Sequence, residues 1–214
     1  MNLVVLGATG GTGRLVVEQA LAAGHSVTAL VRSPEKLIIS HSRLRVVTGA
    51  ATETSAISSA LEGADAIIST LGGKGSVIAD STRAIVAAAD TTGIRRVVML
   101  STFAAQRDRL SAGTRLLTRI VMGAMLKDKN AGEELLRRSD LEWTIVYASV
   151  LSNGPTTGSV LVLPDDAKRG MSEKISRADV AAWMVEVATS PQYSRSGVGI
   201  TGSTRTTADT GVAG

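Results

Sequence analysis

The sequence predicts an α/β domain built on a doubly wound parallel sheet. Short apolar runs rich in Val, Ile and Leu alternate with helix-periodic segments along most of the 214 residues. The runs lack the polar alternation of half-exposed strands, which indicates strands covered on both faces. Strand, helix, strand spacing of this kind implies right-handed crossovers between parallel strands. A third observation, four glycines shortly after the first run, marks a turn from strand into helix.

The first half of the chain alternates between predicted strands and helices. Buried runs bounded by turn residues predict the strands, which fall at residues 3–6, 26–30, 44–48 and 65–70. Apolar residues at helical spacing predict the helices, which fall at residues 11–23, 53–61 and 77–92. Parallel strands need a crossover of this length between them, so the order supports a parallel sheet.

The second half continues the alternation. The predicted strands are the run RVVML with Ser101 after it, the run EWTIVY at 142–147 and a short run at 197–201. The predicted helices span residues 112–139, with a break near Lys127 to Lys129, and residues 175–189. One domain is therefore expected over residues 1–202, followed by a small polar tail, 203–214, that is expected to be loose. The loops around 103–111 and 151–172 are expected to form a small substrate-side portion of the domain.

Composition limits the kinds of site that the chain can carry. Cys is absent and there are only two His, which excludes disulfides and cysteine nucleophiles and leaves no expected metal site. The net charge of +4 suits an anionic ligand without indicating nucleic acid. No apolar run has the length of a membrane span, and the first residues lack the pattern of a signal peptide. We expect a cytoplasmic monomer or homodimer that binds a small molecule, with no nucleic-acid or membrane partner.

A charged segment lies between residues 107 and 138. Its basic residues are interrupted by Asp128, Glu133 and Glu134, and aromatic residues for base stacking are nearly absent from the chain. We interpret this segment as a solvated helical face rather than a nucleic-acid-binding surface.

The stretch LGATGGTGRL, residues 6–15, points to a ligand. Gly7 suits a tight turn, Gly10 lets backbone N–H groups approach a phosphate, and Gly13 allows the helix to pack closely on the strand. The start of the helix adds unpaired N–H donors and the positive end of its dipole. This strand, turn and helix context indicates the diphosphate site of a Rossmann dinucleotide-binding domain, although the spacing is G-x-x-G-x-x-G. A tight strand-to-helix turn without a ligand is the alternative.

The end of the second predicted strand indicates which dinucleotide is bound. Sites for NAD place a carboxylate here to hold the ribose 2′-hydroxyl. This chain has Arg32 instead, with Ser33 beside it and Lys36 a short turn later. A guanidinium and an ammonium attract a 2′-phosphate that a carboxylate would repel, so NADP(H) is expected rather than NAD. The alternative is that Arg32 is only a solvated charge at a strand end.

Several motifs in the same order resemble a known family. VVLGATGGTG, ALVRSPEKL, ADAIISTLG, LRRSDLEWTIV, LSNGPTTG and ISRADVA are similar to the NmrA-like, NAD(P)-binding branch of the atypical short-chain dehydrogenase/reductases. Within that branch, the chain is most similar to the flavin reductase/biliverdin-IXβ reductase type over about residues 1 to 202. The resemblance implies an NAD(P)-binding Rossmann domain and leaves the substrate open.

The resemblance also implies where the cofactor lies, at the carboxyl ends of the strands. The diphosphate is assigned to Gly7, Ala8, Thr9, Gly10, Gly11 and Thr12, and the 2′-phosphate to Arg32, Ser33 and Lys36. The adenine side is assigned to Ala50 and Ala51, and the adjoining ribose and phosphates to Leu71 and Gly72. The nicotinamide side is assigned to Ser101, Thr102, Lys129, Ala148, Ser149 and Val150. Relatives usually have Asp at the position of Ala50, so the adenine loses a polar neighbour here.

The chain departs from the family at the proton donor. Ordinary short-chain reductases place a Tyr four residues before a catalytic Lys, and the phenol protonates the product. The matching lysine here is Lys129, and Met125 stands where the Tyr is expected. The resemblance implies catalytic roles for Ser101 and Lys129. The alternatives are a strand-end hydroxyl that caps local backbone for Ser101 and a solvated helix charge for Lys129. Tyr147, where relatives commonly have Arg, is a further candidate whose alternative role is core packing.

Three functions follow from this pattern. An NADPH-dependent reductase of a conjugated molecule, such as a flavin, a quinone or a polyketide-like aromatic, needs no strong acid because the acceptor delocalises the added charge. An NADP(H)-binding sensor or scaffold of the NmrA type, or a non-redox cyclase or isomerase that retains the cofactor, would also lack the Tyr. We expect the reductase, since the compact chain carries no added interaction domain.

Overall fold

The computed structural model describes residues 1–73, 75–106, 110, 112–164 and 173–202, without the side chains of residues 112, 114, 115 and 117–121. The predicted tail, 203–214, and parts of both expected substrate-side loops, 107–109, 111 and 165–172, lie outside the described residues. The strands are β1 Asn2–Leu6, β2 Ser26–Val31, β3 Leu44–Thr48, β4 Ala66–Ser69, β5 Arg96–Thr102, β6 Glu142–Ala148, β7 Val150–Ser152, β8 Val160–Leu163, β9 Lys174–Ser176 and β10 Ser196–Gly202. The helices are α1 Gly11–Ala22, α2 Thr54–Ala60, α3 Val77–Thr92, α4 Ala112–Arg138 and α5 Arg177–Ala188.

Eight of these strands form one sheet, in the order β3-β2-β1-β4-β5-β6-β10-β8. All neighbours are parallel except β8, which pairs antiparallel with β10. The chain moves outward from β1 to β3 and then returns to the other side of β1 to continue with β4. Loops that follow β1 and β4 therefore diverge and open a crevice at the carboxyl edge of the sheet. The predicted doubly wound Rossmann sheet is confirmed.

Two apolar layers bury the sheet on both faces. Along β1, Leu3 and Val5 enter one layer while Val4 and Leu6 enter the other, because successive side chains of a strand point to opposite faces. Helices α1 and α5 cover the first layer, and α2, α3 and α4 cover the second. This two-sided burial explains why the strands read as continuous apolar runs rather than alternating ones.

The predicted break in α4 near Lys127 to Lys129 is wrong, since the helix is continuous from Ala112 to Arg138. The charges there are used in tertiary contacts. The Asp128 carboxylate accepts hydrogen bonds from the N–H groups of Ile78 and Ala79, at 2.9 and 3.0 Å, and so caps α3. Lys129 is buried, and its Nζ donates to the carbonyl oxygen of Leu100 at 3.3 Å. The helix continues because these partners satisfy its buried charges.

Short strands that the sequence did not indicate occupy part of the expected substrate-side loop. β8 extends the main sheet, and β7 pairs with β9 in a separate two-stranded parallel sheet. β9 also takes the start of the helix predicted at 175–189, so α5 begins at Arg177. Ser176 caps that start, because its Oγ accepts a hydrogen bond from the Asp179 N–H at 2.9 Å. Among the residues described, no helix is both long enough and apolar enough to cross a bilayer.

Candidate functional site

The turn from β1 into α1 leaves no room for side chains at two of its glycines. Gly7 has a φ of +84°, a conformation that favours glycine, and its carbonyl oxygen accepts a hydrogen bond from the Gly10 N–H at 2.9 Å. A Cβ at Gly13 would lie 2.1 Å from the Gly7 oxygen. The strand and the helix can approach this closely only because both positions are glycine.

The start of α1 is open to an anion. Gly10 is the N-cap, and within the described part of the chain it has no side-chain cap, while the first turn of α1 holds no acidic residue. The first N–H groups of a helix lack intrahelical partners and carry the positive end of its dipole. Thr9, Gly10 and Gly11 are exposed, whereas Ala8 and Thr12 are buried beneath them. This bare, uncapped backbone fits the diphosphate of a dinucleotide.

Arg32 stands next to this turn at the same edge of the sheet. β2 pairs with β1 up to Leu30 opposite Leu6, so the residues that follow each strand lie side by side. Arg32 and Lys36 are exposed, and no described residue forms a hydrogen bond or ion pair with either side chain. Ser33 is half-buried and directly precedes the 3-10 turn Pro34–Lys36, which ends at Lys36. Two exposed cations at this edge suit a 2′-phosphate.

The neighbouring strand ends complete the cofactor edge. Ala50 and Ala51 follow β3 and are half-buried, and the Gly49 N–H donates to the Val31 carbonyl oxygen at 3.0 Å, which keeps this segment beside β2. Leu71 and Gly72 follow β4 on the other side of the glycine turn. The residues predicted for the adenine side and for the phosphate side thus follow neighbouring strands at one edge of the sheet.

Charge reversal at Arg32 should change the affinity for NADPH much more than the affinity for NADH. We expect Arg32→Asp to weaken NADPH binding about 100-fold and NADH binding by less than about threefold, since only NADPH carries the repelled 2′-phosphate. Isothermal titration calorimetry with both cofactors measures the difference. Arg138→Asp, which reverses a solvent-exposed charge on α4, is the control and should leave both affinities unchanged. Equal losses for NADPH and NADH in Arg32→Asp would show that this side chain does not contact the 2′-phosphate.

A buried polar cluster lies on the α4 side of β5 and β6. Ser101 and Tyr147 are neighbours in the parallel ladder, and both hydroxyls donate to the Glu133 carboxylate, at 2.6 and 2.5 Å. Arg137, one turn after Glu133, donates to the same carboxylate at 3.0 Å and also to the Tyr147 hydroxyl. Lys129 lies one turn before Glu133 on α4. We refer to Ser101, Lys129, Glu133, Arg137 and Tyr147 as the Glu133 cluster.

Burial changes the proton affinity of two members of the Glu133 cluster. Burial raises the pKa of the Tyr147 phenol well above its usual range, and the negative charge of Glu133 raises it further. Tyr147 is therefore a stable hydrogen-bond donor rather than a phenolate. Burial lowers the pKa of Lys129, against the opposing effect of Glu133 and Asp128, so this ammonium gives up its proton more readily than an exposed lysine.

The structure thus brings all three predicted catalytic residues into one cluster. Thr102 and Ala148 are the last pair of the β5–β6 ladder, directly above Ser101 and Tyr147. The Thr102 Oγ1 accepts a hydrogen bond from the Ala104 N–H at 3.4 Å and caps the turn after β5. Ser149 lies within 3.0 Å of the Thr201 hydroxyl, and Val150 begins β7. The predicted nicotinamide-side residues therefore share the end of β5 and β6 with the Glu133 cluster.

Sequence reasoning missed Glu133, Arg137 and Arg177. The first two were interpreted as part of a solvated helical face, but Glu133 is 3% exposed, so that interpretation is wrong for this side of α4. Their spacing contained the missing information, because Lys129, Glu133 and Arg137 recur every four residues and must share one helix face. Arg177 lies 164 positions after Gly13 in the chain, and only the packing of α5 beside α1 brings it to the glycine turn.

Comparisons with known proteins agree with this geometry. The family described as NAD(P)H-binding matches residues 7–191. The chain is 30% identical over 196 residues to an uncharacterized sugar epimerase of Bacillus subtilis, and the match covers 86% of each chain. A short-chain dehydrogenase/reductase from Veillonella parvula, solved in complex with NADP, superposes with a TM-score of 0.82 at 21% identity, covering 96% of this chain and 95% of that one. An anaerobillin reductase from Escherichia coli O157:H7 superposes with a TM-score of 0.80 at 26% identity, covering 94% and 96%.

These matches confirm the cofactor class and the reductase-like fold that the sequence motifs predicted. The family match begins at Gly7, the first glycine of the turn, and extends into the loop that follows α5. It therefore includes every strand end along which the cofactor edge is built. The chain therefore belongs to the NAD(P)H-binding family.

Proposed function

We propose that this protein is an NADPH-dependent reductase that transfers hydride to a planar conjugated small molecule, such as a flavin, a quinone or a polyketide-like aromatic. The observation that carries the proposal is the Glu133 cluster. It places a buried carboxyl group in contact with the Ser101 hydroxyl, at the point where a reductase of this fold needs a proton source. The chain lacks a Tyr one turn before Lys129, so this carboxyl group takes the place of the usual phenol.

The glycine turn and Arg32 would hold NADPH, which supplies a hydride when bound. The backbone N–H groups at the start of α1 bind the diphosphate, and Arg32 with Lys36 selects the 2′-phosphate. Ser101 and Lys129 face the nicotinamide end of this edge from β5 and α4. A cofactor held along these strand ends would have its nicotinamide end beside β5 and β6, where the Glu133 cluster lies.

Glu133 and Ser101 together can deliver the proton that accompanies the hydride. In the structure the Ser101 hydroxyl donates to Glu133. Glu133 is a carboxylate in this arrangement, so a proton from water would pass first to Glu133 and then to Ser101, which donates its own proton to the reduced acceptor. Tyr147 and Arg137 hold the other carboxyl oxygen in position, and the 38% exposed Arg137 side chain connects the cluster to solvent. Glu133 returns to the carboxylate form once Ser101 has regained its proton.

Proton delivery through Glu133 and Ser101 is suited to a conjugated acceptor. Hydride addition to a flavin, a quinone or an extended enone leaves a charge spread over several atoms, and the resulting anion is protonated near neutral pH. A carboxyl group is a suitable acid for such an anion, whereas an isolated alkoxide calls for stronger assistance. The likeness to an anaerobillin reductase supports reduction rather than simple cofactor binding.

A second candidate is epimerisation or isomerisation with a retained cofactor. The relative that is 30% identical is an uncharacterized sugar epimerase, and this likeness favours the alternative over a scaffold role. Such a reaction returns the hydride to the substrate, so the redox state of the cofactor does not change. The Glu133 cluster would then exchange a proton with the substrate rather than supply one permanently.

NADPH oxidation with a panel of acceptors separates these functions. The panel contains FMN, FAD, menadione, a linear tetrapyrrole and a substituted naphthoquinone, and the absorbance of NADPH is followed in each case. We expect oxidation with at least one acceptor class, and a loss of turnover of about 10- to 100-fold in Lys129→Met. If NADPH binds but every acceptor leaves it reduced, the reductase proposal fails. Incorporation of solvent deuterium into sugar nucleotides then tests the epimerase alternative.

A further inference from the structure

We propose that the Arg177 guanidinium is a second binding group for the cofactor diphosphate, held ready by Asn153. The residue lies outside the glycine motif and far from it in sequence. The proposal concerns the cofactor site on which the proposed function rests, but it holds whichever reaction the protein catalyses. Its test therefore uses binding alone.

The position of Arg177 follows from the packing of α5 against α1. Arg177 is the first residue of α5, and the Gln19 side chain in the second half of α1 donates to the Ala178 carbonyl oxygen at 2.9 Å, which holds the start of α5 against α1. A Cβ placed on Gly11 would lie 3.4 Å from both Cδ and Nε of Arg177. The arginine side chain thus crosses the first residue of α1, where the unpaired N–H groups begin.

The charges at this point are unbalanced. The start of α1 carries the positive end of the helix dipole without an acidic residue in its first turn, and the guanidinium adds a full positive charge beside it. Within the described residues, Arg177 has no acidic partner, and its one hydrogen bond goes to the neutral Asn153 Oδ1 at 2.7 Å. Two adjacent positive groups without a counter-charge are unfavourable, and a diphosphate would neutralise both. The remaining guanidinium donors are available for its oxygens.

Hydrogen bonds fix the loop that contains Asn153, and Asn153 in turn orients the Arg177 guanidinium. The buried Asp179 carboxylate accepts hydrogen bonds from the hydroxyls of Thr156 and Thr157 at 2.8 Å each, and from the Thr157 N–H at 2.7 Å. Asp179 belongs to the first turn of α5, two residues after Arg177. The loop that carries Asn153 is therefore fixed to the helix that carries Arg177. An arginine oriented before binding loses less conformational entropy when it meets a phosphate.

Arg177 and Arg32 contact different parts of the cofactor, so their variants should give different ligand profiles. We expect Arg177→Met to weaken NADPH, NADH and ADP-ribose by the same factor, about 10- to 100-fold, since all three contain the diphosphate. 2′-AMP has no diphosphate and should bind as it does to the unchanged protein. Isothermal titration calorimetry with these four ligands measures the profile, and the melting temperature without ligand verifies folding.

Two further variants complete the test. Arg14→Met is the matched control, because Arg14 lies in the first turns of α1 but pairs with Glu18, and it should leave all four affinities unchanged. Asn153→Ala should weaken ADP-ribose by a smaller factor than Arg177→Met, about threefold, because only the orientation of the guanidinium is lost. Unchanged ADP-ribose affinity in Arg177→Met, or an equal loss for 2′-AMP, overturns the proposal. If every acceptor fails in the NADPH assay while ADP-ribose binding still depends on Arg177, only the reductase proposal is removed.

Discussion

Gly13→Ala is expected to abolish cofactor binding and to destabilise the protein. The added Cβ would stand 2.1 Å from the Gly7 carbonyl oxygen and 2.7 Å from its carbon, and these are backbone atoms that cannot rotate away. The start of α1 must then move off β1. We expect a loss of about 2–3 kcal/mol in the free energy of unfolding, as for an overpacked core position, and at least about 100-fold weaker NADPH binding. Urea denaturation and calorimetry measure the two effects.

A loss of stability in Gly13→Ala is informative, because replacing glycine by alanine within a helix normally raises the free energy of unfolding. Gly123 also lies in a helix, and nothing in the described structure comes within 4 Å of a Cβ added there. Gly123→Ala should therefore stabilise the protein by about 0.5–1 kcal/mol. Should Gly13→Ala behave like Gly123→Ala and still bind NADPH, then the close approach of α1 to β1 is not needed for the site.

Glu133→Gln is expected to give the largest loss of turnover that leaves cofactor binding intact. Ser101 donates to one carboxylate oxygen at 2.6 Å, and Tyr147 donates to the other at 2.5 Å. In glutamine an NH₂ group replaces one of these two oxygens, so at least one hydroxyl loses its acceptor. An amide also cannot pass a proton to Ser101. We expect turnover to fall about 100-fold or more, with NADPH affinity within about threefold of its original value.

The matched control is the next residue in the chain. Glu134 is 51% exposed in its side chain and pairs with Arg138 at 2.8 Å, so Glu134→Gln should leave turnover unchanged. A spectroscopic titration provides a measurement independent of activity. Because the charge of Glu133 contributes to the raised pKa of Tyr147, Glu133→Gln should lower that pKa and make the phenolate appear at less alkaline pH. Full turnover in Glu133→Gln would remove the carboxyl group from the proposed proton path.

Local patterns along the chain were sufficient for the cofactor-binding half of the protein. The run LVVL, the glycines that follow it and the apolar helix after them are contiguous, so their spacing alone specifies a strand, a tight turn and a helix start. Arg32 could be interpreted in the same way, because the end of β2 lies beside the end of β1 in any parallel sheet of this order. The predicted strand and helix positions differ from the observed ones mainly at their ends, where capping decides the boundary.

The Glu133 cluster, in contrast, depends on contacts between segments that are distant in sequence. The charges of Asp128, Lys129 and Glu133 resemble a solvated surface in the sequence, and only the packing of α4 against α3 and β5 shows that they are buried and paired. Arg177 reaches Gly11 only because α5 lies beside α1.

There is a physical reason why the sequence predicts the glycine turn but not the Glu133 cluster. Backbone geometry at a glycine turn is a local property that residues within one turn of each other determine. The burial of a charge, by contrast, depends on which distant groups surround it, and a carboxylate can be solvated on one helix face and buried among hydrogen-bond donors on another. The sequence by itself therefore determined the doubly wound sheet and the glycine turn, whereas the tertiary structure decided which polar residues form the Glu133 cluster and which arginine lies beside the start of α1.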